Sequence, residues 1–387
     1  LNTQTWLSFR FFAIFFTWGI FVPFWTSWLV TNKGLSVTTV STIMAVGMMA
    51  RALSSFLVFP KLSQKWTLSS ILNGVTLSSV LALLLFIPFQ NVGLLILFMV
   101  LLNLIYPLLL PLVESMGAMM AKDEGISYGA SRAWGSLGYT AALLVVGWVI
   151  SLWNEDAIFY LILVGLVGIL FMGIQKSPAS IKAPRKQERL SFRELLQSKR
   201  FIYGLLAVVI IQGSHAAYYN YGVLYLKDLN VSSGSIGLFL NVAVIAEIIF
   251  FRYADKIVGN VSSSWTIGAA GLLAMVRWGL LFLFPSTAIF LGSQFLHAGS
   301  FALAHFGFMR LMYSELKSDL VPSAQGVYTS LIGLLTAVCT FAGGLLYDIA
   351  PTFAFLGMVL FVIPSLYLSF VVLAKYEKAP IFSKEQL

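Results

Sequence analysis

Nearly every stretch of about 20 residues along this chain is apolar enough to dissolve in a bilayer, and that property decides most of what it can become. An α-helix needs about that length to cross the hydrocarbon core. A window of that size picks out twelve segments, at approximately 5–30, 38–60, 68–88, 92–119, 128–152, 157–175, 200–226, 235–257, 265–284, 288–313, 322–347 and 353–374. With 59% hydrophobic and 10% charged residues and a mean hydropathy of +0.90, 387 residues cannot present a polar skin to water. The expected fold is an all-α integral membrane protein with twelve transmembrane helices in two six-helix halves. The first apolar run, from about Thr5 to Val30, is too long for a signal-peptide core and lacks a small-residue cleavage site, so it reads as a helix that is kept.

Between the sixes runs QKSPASIKAPRKQERLSFRELLQSKR, residues 175–200, with eight Lys/Arg against two Glu. It reads as a solvated linker with a short surface helix at its end. The expected organisation is an N-terminal six-helix bundle over 1–175, a basic linker over 176–199, a C-terminal bundle over 200–376 and a tail over 377–387. With the N-terminus cytoplasmic, 18 of the 24 Lys and Arg fall in cytoplasmic loops, linker and tail. Only Lys33 and Lys227 fall outside, and Arg10, Arg51, Arg132 and Arg277 remain inside segments. That bias fixes the orientation, with both termini cytoplasmic. It also removes the nucleic-acid reading of the net charge of +9, since the excess is spread over loops that face anionic lipid head groups. The single cysteine, Cys339, allows neither a disulfide framework nor a cysteine metal site.

The two halves resemble one another. WGIFVPFWTSWLVTNKGLSVTTVS (18–41) aligns with QGSHAAYYNYGVLYLKDLNVSSGS (212–235) at an offset of 194, and ASRAWGSL (130–137) lies over AQGVYTSL (324–331) at the same offset. With a further shift of two, MMARALSSF (48–56) lies over VIAEIIFF (244–251), which sets Arg51 opposite Glu247. A duplicated six-helix unit follows, with a central site between the halves near mid-membrane.

Charges inside such segments are rare and face a partner or an aqueous cavity; the plainer readings are a structural ion pair or a snorkelling side chain. Only Glu114 and Glu247 among the 15 acids lie deep inside segments, with Arg51, Arg132 and Arg277 and all three histidines. Glu114 and Arg132 lie nine residues either side of position 123, in the turn AKDEG, and so share a depth on adjacent antiparallel helices. Arg277 and His297 lie ten residues either side of position 287, in the outer turn. Glu247, about 12 residues into its helix, reaches a comparable level. A carboxylate, a guanidinium and an imidazole at one depth make a candidate proton-handling cluster of Glu247, Arg277 and His297. His305 lies eight residues from His297, about 80° round a helix, without a matching acid or cysteine, so no metal is expected.

Through GIFVPFW (19–25), YGASRAWGS (128–136), QGSHAAYY (212–219), VIAEIIFF (244–251) and MVRWG (275–279), the chain resembles the phenylpropionate permease branch of the major facilitator superfamily. More distantly it resembles lactose permease, whose fourth and fifth helices carry a Glu and an Arg spaced as Glu114 and Arg132 are. That resemblance implies that Glu114 and Arg132 bind substrate, that Tyr139 stacks on it, and that Arg277 and His297 belong to the coupling machinery. The acid found three positions after the histidine in lactose permease is Ser300 here, so Glu247 is the candidate proton carrier by default and by its place in VIAEIIFF. The first facilitator loop, FPKLSQKWT (59–67), lacks its acid, whereas RYADKIVGN (252–260) keeps Asp255.

The expected function is proton-coupled symport of a small organic solute by alternating access in a bacterial inner membrane. Two substrates stay open. An aromatic acid would place its carboxylate on Arg132 or Arg51 and its ring among Trp25, Tyr218 and Tyr219, with His215 in the same set. A sugar would use Glu114, Arg132 and Tyr139. The aromatic rings of the first and seventh helices suit either, since both stack on π-systems. A proton-driven exporter of drugs or metabolites and a non-transporting membrane sensor are the alternatives. The chain shows no Gly-rich phosphate loop and no Ser/His/Asp set, so an enzyme is not expected. Neither is a cofactor other than the coupling proton, and the expected state is a monomer in contact with lipid.

Overall fold

The computed structural model describes residues 2–178, 180–182, 192–317 and 320–376. Residues 179 and 183–191 of the linker and the whole 377–387 tail expected from the sequence lie outside the described residues. Helices occupy each expected apolar segment: α1 (Thr3–Lys33), α2 (Val37–Leu53), α3 (Leu68–Leu84), α4 (Val92–Glu124), α5 (Tyr128–Leu152), α6 (Asp156–Met172), α7 (Lys199–Asp228), α8 (Ser233–Val258), α9 (Ser263–Leu283), α10 (Thr287–Glu315), α11 (Val321–Ile349) and α12 (Phe353–Tyr367). Among the described residues nine helices are long and apolar enough to cross a membrane, and α2, α3 and α6 are shorter apolar helices. A single turn, Phe192–Leu195, stands where the linker was expected to end in a short helix.

Local chemistry sets many of the boundaries. The side chains of Asn2, Ser36, Thr67, Asn91, Ser127, Ser198, Ser262 and Ser286 each accept from a backbone N–H three residues on, the N-cap bond that a helix start requires. Gly34 and Gly125 end α1 and α4 at φ of 62° and 68°, a left-handed conformation that only glycine adopts without strain. Several helices depart from α geometry inside their spans. After Leu53, α2 passes through a π-helical turn, Ser54–Val58, and continues as Phe59–Lys65. A 3-10 turn at Tyr106–Leu108, containing Pro107, interrupts α4. A turn at Ser214 and His215 breaks α7, and α10 carries a π-turn at Ala298–Ala302.

The chain folds as two compact units. One holds 1–188 together with 216–241 and 336–351; the other holds 189–215, 242–335 and 352–387. In the first, α1 runs through the centre, with Trp25 and Leu29 fully buried, and packs on α5 and α6. The approach is close because glycines face it: a Cβ on Gly138 would strike the backbone carbonyl of Phe12, and one on Gly19 would sit 2.9 Å from the carbonyl oxygen of Tyr139. Small residues that admit a neighbouring backbone are the usual means of holding membrane helices together. Gly138→Ala is therefore expected to cost about 1–3 kcal/mol of stability, whereas Gly168→Ala, which has nothing within 4 Å, leaves it unchanged. Thermal midpoints of the two variants in detergent check this.

Arg10 shows what a structural arginine in such a helix looks like. It is 1% exposed, and its guanidinium lies over the Trp6 ring at 3.3 Å. It donates to the carbonyls of Trp6 and Met172 and to Oε1 of Gln175. The Met172 carbonyl is the end of α6, where a helix lacks donors of its own and a cation is favourable.

Candidate functional site

In the first unit, α4 and α5 form an antiparallel hairpin whose register matches the depth expected for Glu114 and Arg132. Nε of Arg132 donates to Oε1 of Glu114 at 2.8 Å, with both side chains about one-third exposed. The other carboxylate oxygen, Oε2, accepts from the Tyr128 hydroxyl. Tyr128 reaches it because its ring lies over Gly117, where a Cβ would come within 2.8 Å of that ring. Phe11 meets the ring edge-on at 6.2 Å, and the Arg132 guanidinium rests over Phe15 at 4.3 Å. Tyr128 was not among the expected residues, although its place one helical turn before Arg132 was a usable signal. Tyr139 lies two turns beyond Arg132 on α5, with its backbone against Gly19.

Arg51 lies apart from that pair. Its guanidinium stands over the Trp18 ring at 4.7 Å. Trp18 in turn packs against Tyr106 at 5.4 Å, and the Tyr106 hydroxyl donates to Oγ1 of Thr17 at 2.8 Å. The structure places Trp25 in the core: it is 0% exposed, stacked on Trp28 at 4.6 Å and set edge-on to Phe86. Its ring is packing, not an open binding surface. Tyr218 and Tyr219 sit on the second part of α7 with ring centroids 5.4 Å apart. Further along, Nζ of Lys227 bonds Oγ of Ser27 and Oε1 of Glu155, each at 2.9 Å, and the Tyr347 hydroxyl donates to Oδ2 of Asp228 at 2.5 Å. Burial would raise the Glu155 carboxyl, but the hydrogen bond and charge of Lys227 outweigh it and hold the group below the ordinary carboxylate range.

The second unit assembles the three residues expected to share a depth. Nη1 of Arg277 lies 2.5 Å from Nδ1 of His297, and Nε2 of His297 lies 2.6 Å from Oε1 of Glu247. A guanidinium only donates, so Nδ1 accepts, the imidazole carries its proton on Nε2, and that N–H donates to the carboxylate. Gln294, one turn before His297, offers Oε1 to Nη2 of Arg277 at 3.5 Å. His215, grouped with the substrate residues on sequence grounds, belongs here by position. Its Nδ1 donates to the Ile211 carbonyl at 3.0 Å, its Nε2 pairs with Oγ of Ser300 at 3.1 Å, and its ring meets those of Trp278 and His297 edge-on. The Trp278 indole donates to Oγ of Ser214 at 3.1 Å, which fixes the break in α7 beside His215. Nδ1 of His305 pairs with the Tyr328 hydroxyl at 3.1 Å. Among the described residues no group of three His, Cys, Asp or Glu could hold a metal ion.

The chain is 29% identical to a protein of Escherichia coli (strain K12) described as a probable 3-phenylpropionic acid transporter, over 371 residues, 95% of this chain and 97% of that one. It is 28% identical over 276 residues to a maltose permease of Geobacillus stearothermophilus, covering 69% of this chain and 68% of the relative. Among solved structures, the nucleoside transporter NupG superposes with a TM-score of 0.80 over 98% of this chain and 100% of that one at 14% identity. A peptide transporter, POT, superposes with a TM-score of 0.76 over 96% and 94%. At such identities these likenesses concern the fold alone. The MFS_1 like family model matches residues 4–357. A multi-pass helical membrane chain matched over that length belongs to the MFS_1-like family, whose members are transporters and not enzymes.

Proposed function

We propose that the chain is a proton-coupled symporter that takes up a small organic acid with an aromatic ring. It works by alternating access of two six-helix halves, twelve helices in all, with both termini on the cytoplasmic side of a bacterial inner membrane. The observation that carries the proton part is the chain Arg277, His297, Glu247. While Nδ1 of His297 accepts from Arg277 and Nε2 donates to Glu247, the imidazole has no position left for a second proton. Oε2 of Glu247 has one. A proton therefore loads on Glu247 with the chain intact, and His297 can take one only after Arg277 withdraws. Glutamine copies that bridge, one donor and one acceptor on a planar group that does not titrate. His297→Gln is thus expected to keep proton-coupled uptake within about tenfold of the parent, while His297→Leu, which makes neither bond, loses more than 100-fold, a difference of at least about 1.4 kcal/mol between the variants.

The E. coli relative supports an aromatic acid and the maltose permease supports a sugar. Glu114 takes one donor on each oxygen, from Tyr128 and Arg132, and keeps a second acceptor site on each, so it does not decide between them; the acid is favoured by the E. coli relative's coverage of 95% of this chain against 69% for the maltose permease. The test uses purified protein in proteoliposomes with an external pH electrode. Adding 3-phenylpropionate is expected to make the outer medium more alkaline, beyond what protein-free liposomes show. Acidification would identify an exporter working by antiport. Counterflow without proton movement would remove the coupling, and binding without counterflow would leave a sensor.

A further inference from the structure

Four arginines lie within the apolar spans, and three of them have hydrogen-bond acceptors. Arg10 has backbone carbonyls and Gln175, Arg132 has Glu114, and Arg277 has His297 and Gln294. Arg51 differs: among the described residues its guanidinium has no hydrogen bond and no carboxylate, only the face of Trp18. It is also at mid-span. Arg51 lies 14 residues from Val37, where α2 begins, and 14 from Lys65, where the helical run through the π-turn ends. Trp18 lies 15 residues from each end of α1. The pair of Glu114 and Arg132 sits nearer one end, Arg132 being four residues into α5.

A cation at that depth without a counter-ion is costly and is kept where it has work to do. The surrounding backbone is built to hold it. Four residues before Arg51, Gly47 lets α2 press on α4, since a Cβ there would lie 2.8 Å from the side chains of Asn103 and Met99. Three residues after it the π-turn begins, a feature that gathers at functional positions. The Ser54 hydroxyl ties that turn to the Leu104 carbonyl, just ahead of the 3-10 turn in α4. Both helices thus leave regular geometry beside the same guanidinium. Among the described residues the groups that face it are Trp18 of α1 and Tyr106 of α4, whose hydroxyl is engaged by Thr17, and neither brings a negative charge.

We propose that Arg51 is the anion anchor of the transport site, its fork of N–H donors taking both oxygens of a substrate carboxylate while the Trp18 ring, backed by the buried Tyr106, holds the guanidinium by its face. The proposal rests on the uptake of a small organic acid proposed above. A planar fork matches a carboxylate bidentately and a lysine does not. Arg132 is committed through Nε to Glu114, and that pair carries no net charge to offer an anion. Selectivity for acids over their neutral analogues therefore resides in Arg51.

The test measures binding of 3-phenylpropionate and 3-phenylpropionamide to purified protein by calorimetry, with thermal midpoints taken alongside. The parent is expected to prefer the acid by on the order of 100-fold. Arg51→Gln is expected to lose that preference and bind the two alike, and Arg51→Lys to keep about a tenth of it. The ligand-free midpoint of Arg51→Gln is expected to equal or exceed that of the parent, since an uncompensated charge has gone, whereas Arg10→Gln lowers its own. An Arg51→Gln protein that still prefers the acid overturns the anchor while leaving the uptake of acids standing. A midpoint lowered as far as that of Arg10→Gln makes Arg51 structural and overturns it too. A parent that binds neither 3-phenylpropionate nor benzoate nor phenylacetate overturns the uptake reading, and the anchor with it.

Discussion

Glu247→Gln is expected to abolish accumulation of substrate against a gradient while labelled and unlabelled substrate still exchange. Glutamine keeps the shape of the side chain and its Oε1, so the bond from Nε2 of His297, 2.6 Å in the native protein, has the same acceptor. What it lacks is an oxygen that can bind a proton. A monoanion carried with one proton is driven by the pH difference, and one unit of pH is worth 1.36 kcal/mol, about tenfold in concentration. In vesicles with that step imposed, and after subtraction of protein-free vesicles, the parent should approach tenfold accumulation and the variant about onefold. Counterflow should stay within about threefold of the parent, since exchange moves the loaded carrier back and forth without a change of protonation. Undiminished accumulation in the variant would remove Glu247 as the carrier.

Lys227→Glu is expected to destabilise the first unit by reversing a part-buried charge. In the native protein Lys227 joins the second part of α7 to Glu155, which precedes α6, and to Ser27 of α1, with both charged side chains about one-quarter exposed. Reversing its charge faces two carboxylates across that contact. At about 4 Å and an effective dielectric near 20, unit charges interact by about 4 kcal/mol, an upper bound here because both side chains can turn to water. The thermal midpoint should fall, and the exchanged pair, Lys227→Glu with Glu155→Lys, should recover most of the loss. The response to pH separates this from a packing defect. Since Lys227 holds the Glu155 carboxyl below its ordinary value of about 4.3, the native pair contributes fully above that value and is lost only as pH falls through the lower folded one. Acid therefore weakens the parent at this contact. It should strengthen Lys227→Glu, whose facing carboxylates lose their repulsion on protonation.

Depth was the part of the site that the amino-acid sequence made legible. Short turns join α4 to α5 and α9 to α10, and an antiparallel hairpin with a short turn fixes which residues share a level. Glu114 met Arg132 and Arg277 met His297 for that reason, and Glu247 joined the second set because it lies equally deep. Rotation about a helix axis was not legible in helices that are apolar on every side. Trp18 and Trp25, seven residues apart on α1, are both buried, yet Trp18 lies under Arg51 and Trp25 stacks on Trp28. His215 could not be assigned to Arg277 and His297, because the turn at Ser214 and His215 that aims it depends on the Trp278 indole 64 residues away. The helix spans were visible in hydropathy, but their interruptions were less so: Pro107 marked one, whereas the π-turn at Ala298–Ala302 contains no proline to announce it. Nor does a sequence show what a charge lacks. Arg10 and Arg51 look alike in a hydrophobic run, and only their neighbours distinguish a helix cap from a guanidinium set on a ring face.

The π-turn after Arg51 has an evolutionary meaning. A π-turn accommodates one residue more than an α-helix would need over the same rise. Each residue turns a helix by about 100°. Losing a single codon between 54 and 58 would let α2 close into uninterrupted α geometry with little change in the length of the span or in the rotation of one side against the other, because a π-turn absorbs its extra residue within one turn. What would go is the widened turn that begins three residues after Arg51, and with it the local setting of that guanidinium. If Arg51 is the anchor proposed above, one insertion or deletion at this turn alters the setting of the anion site while the membrane topology is conserved.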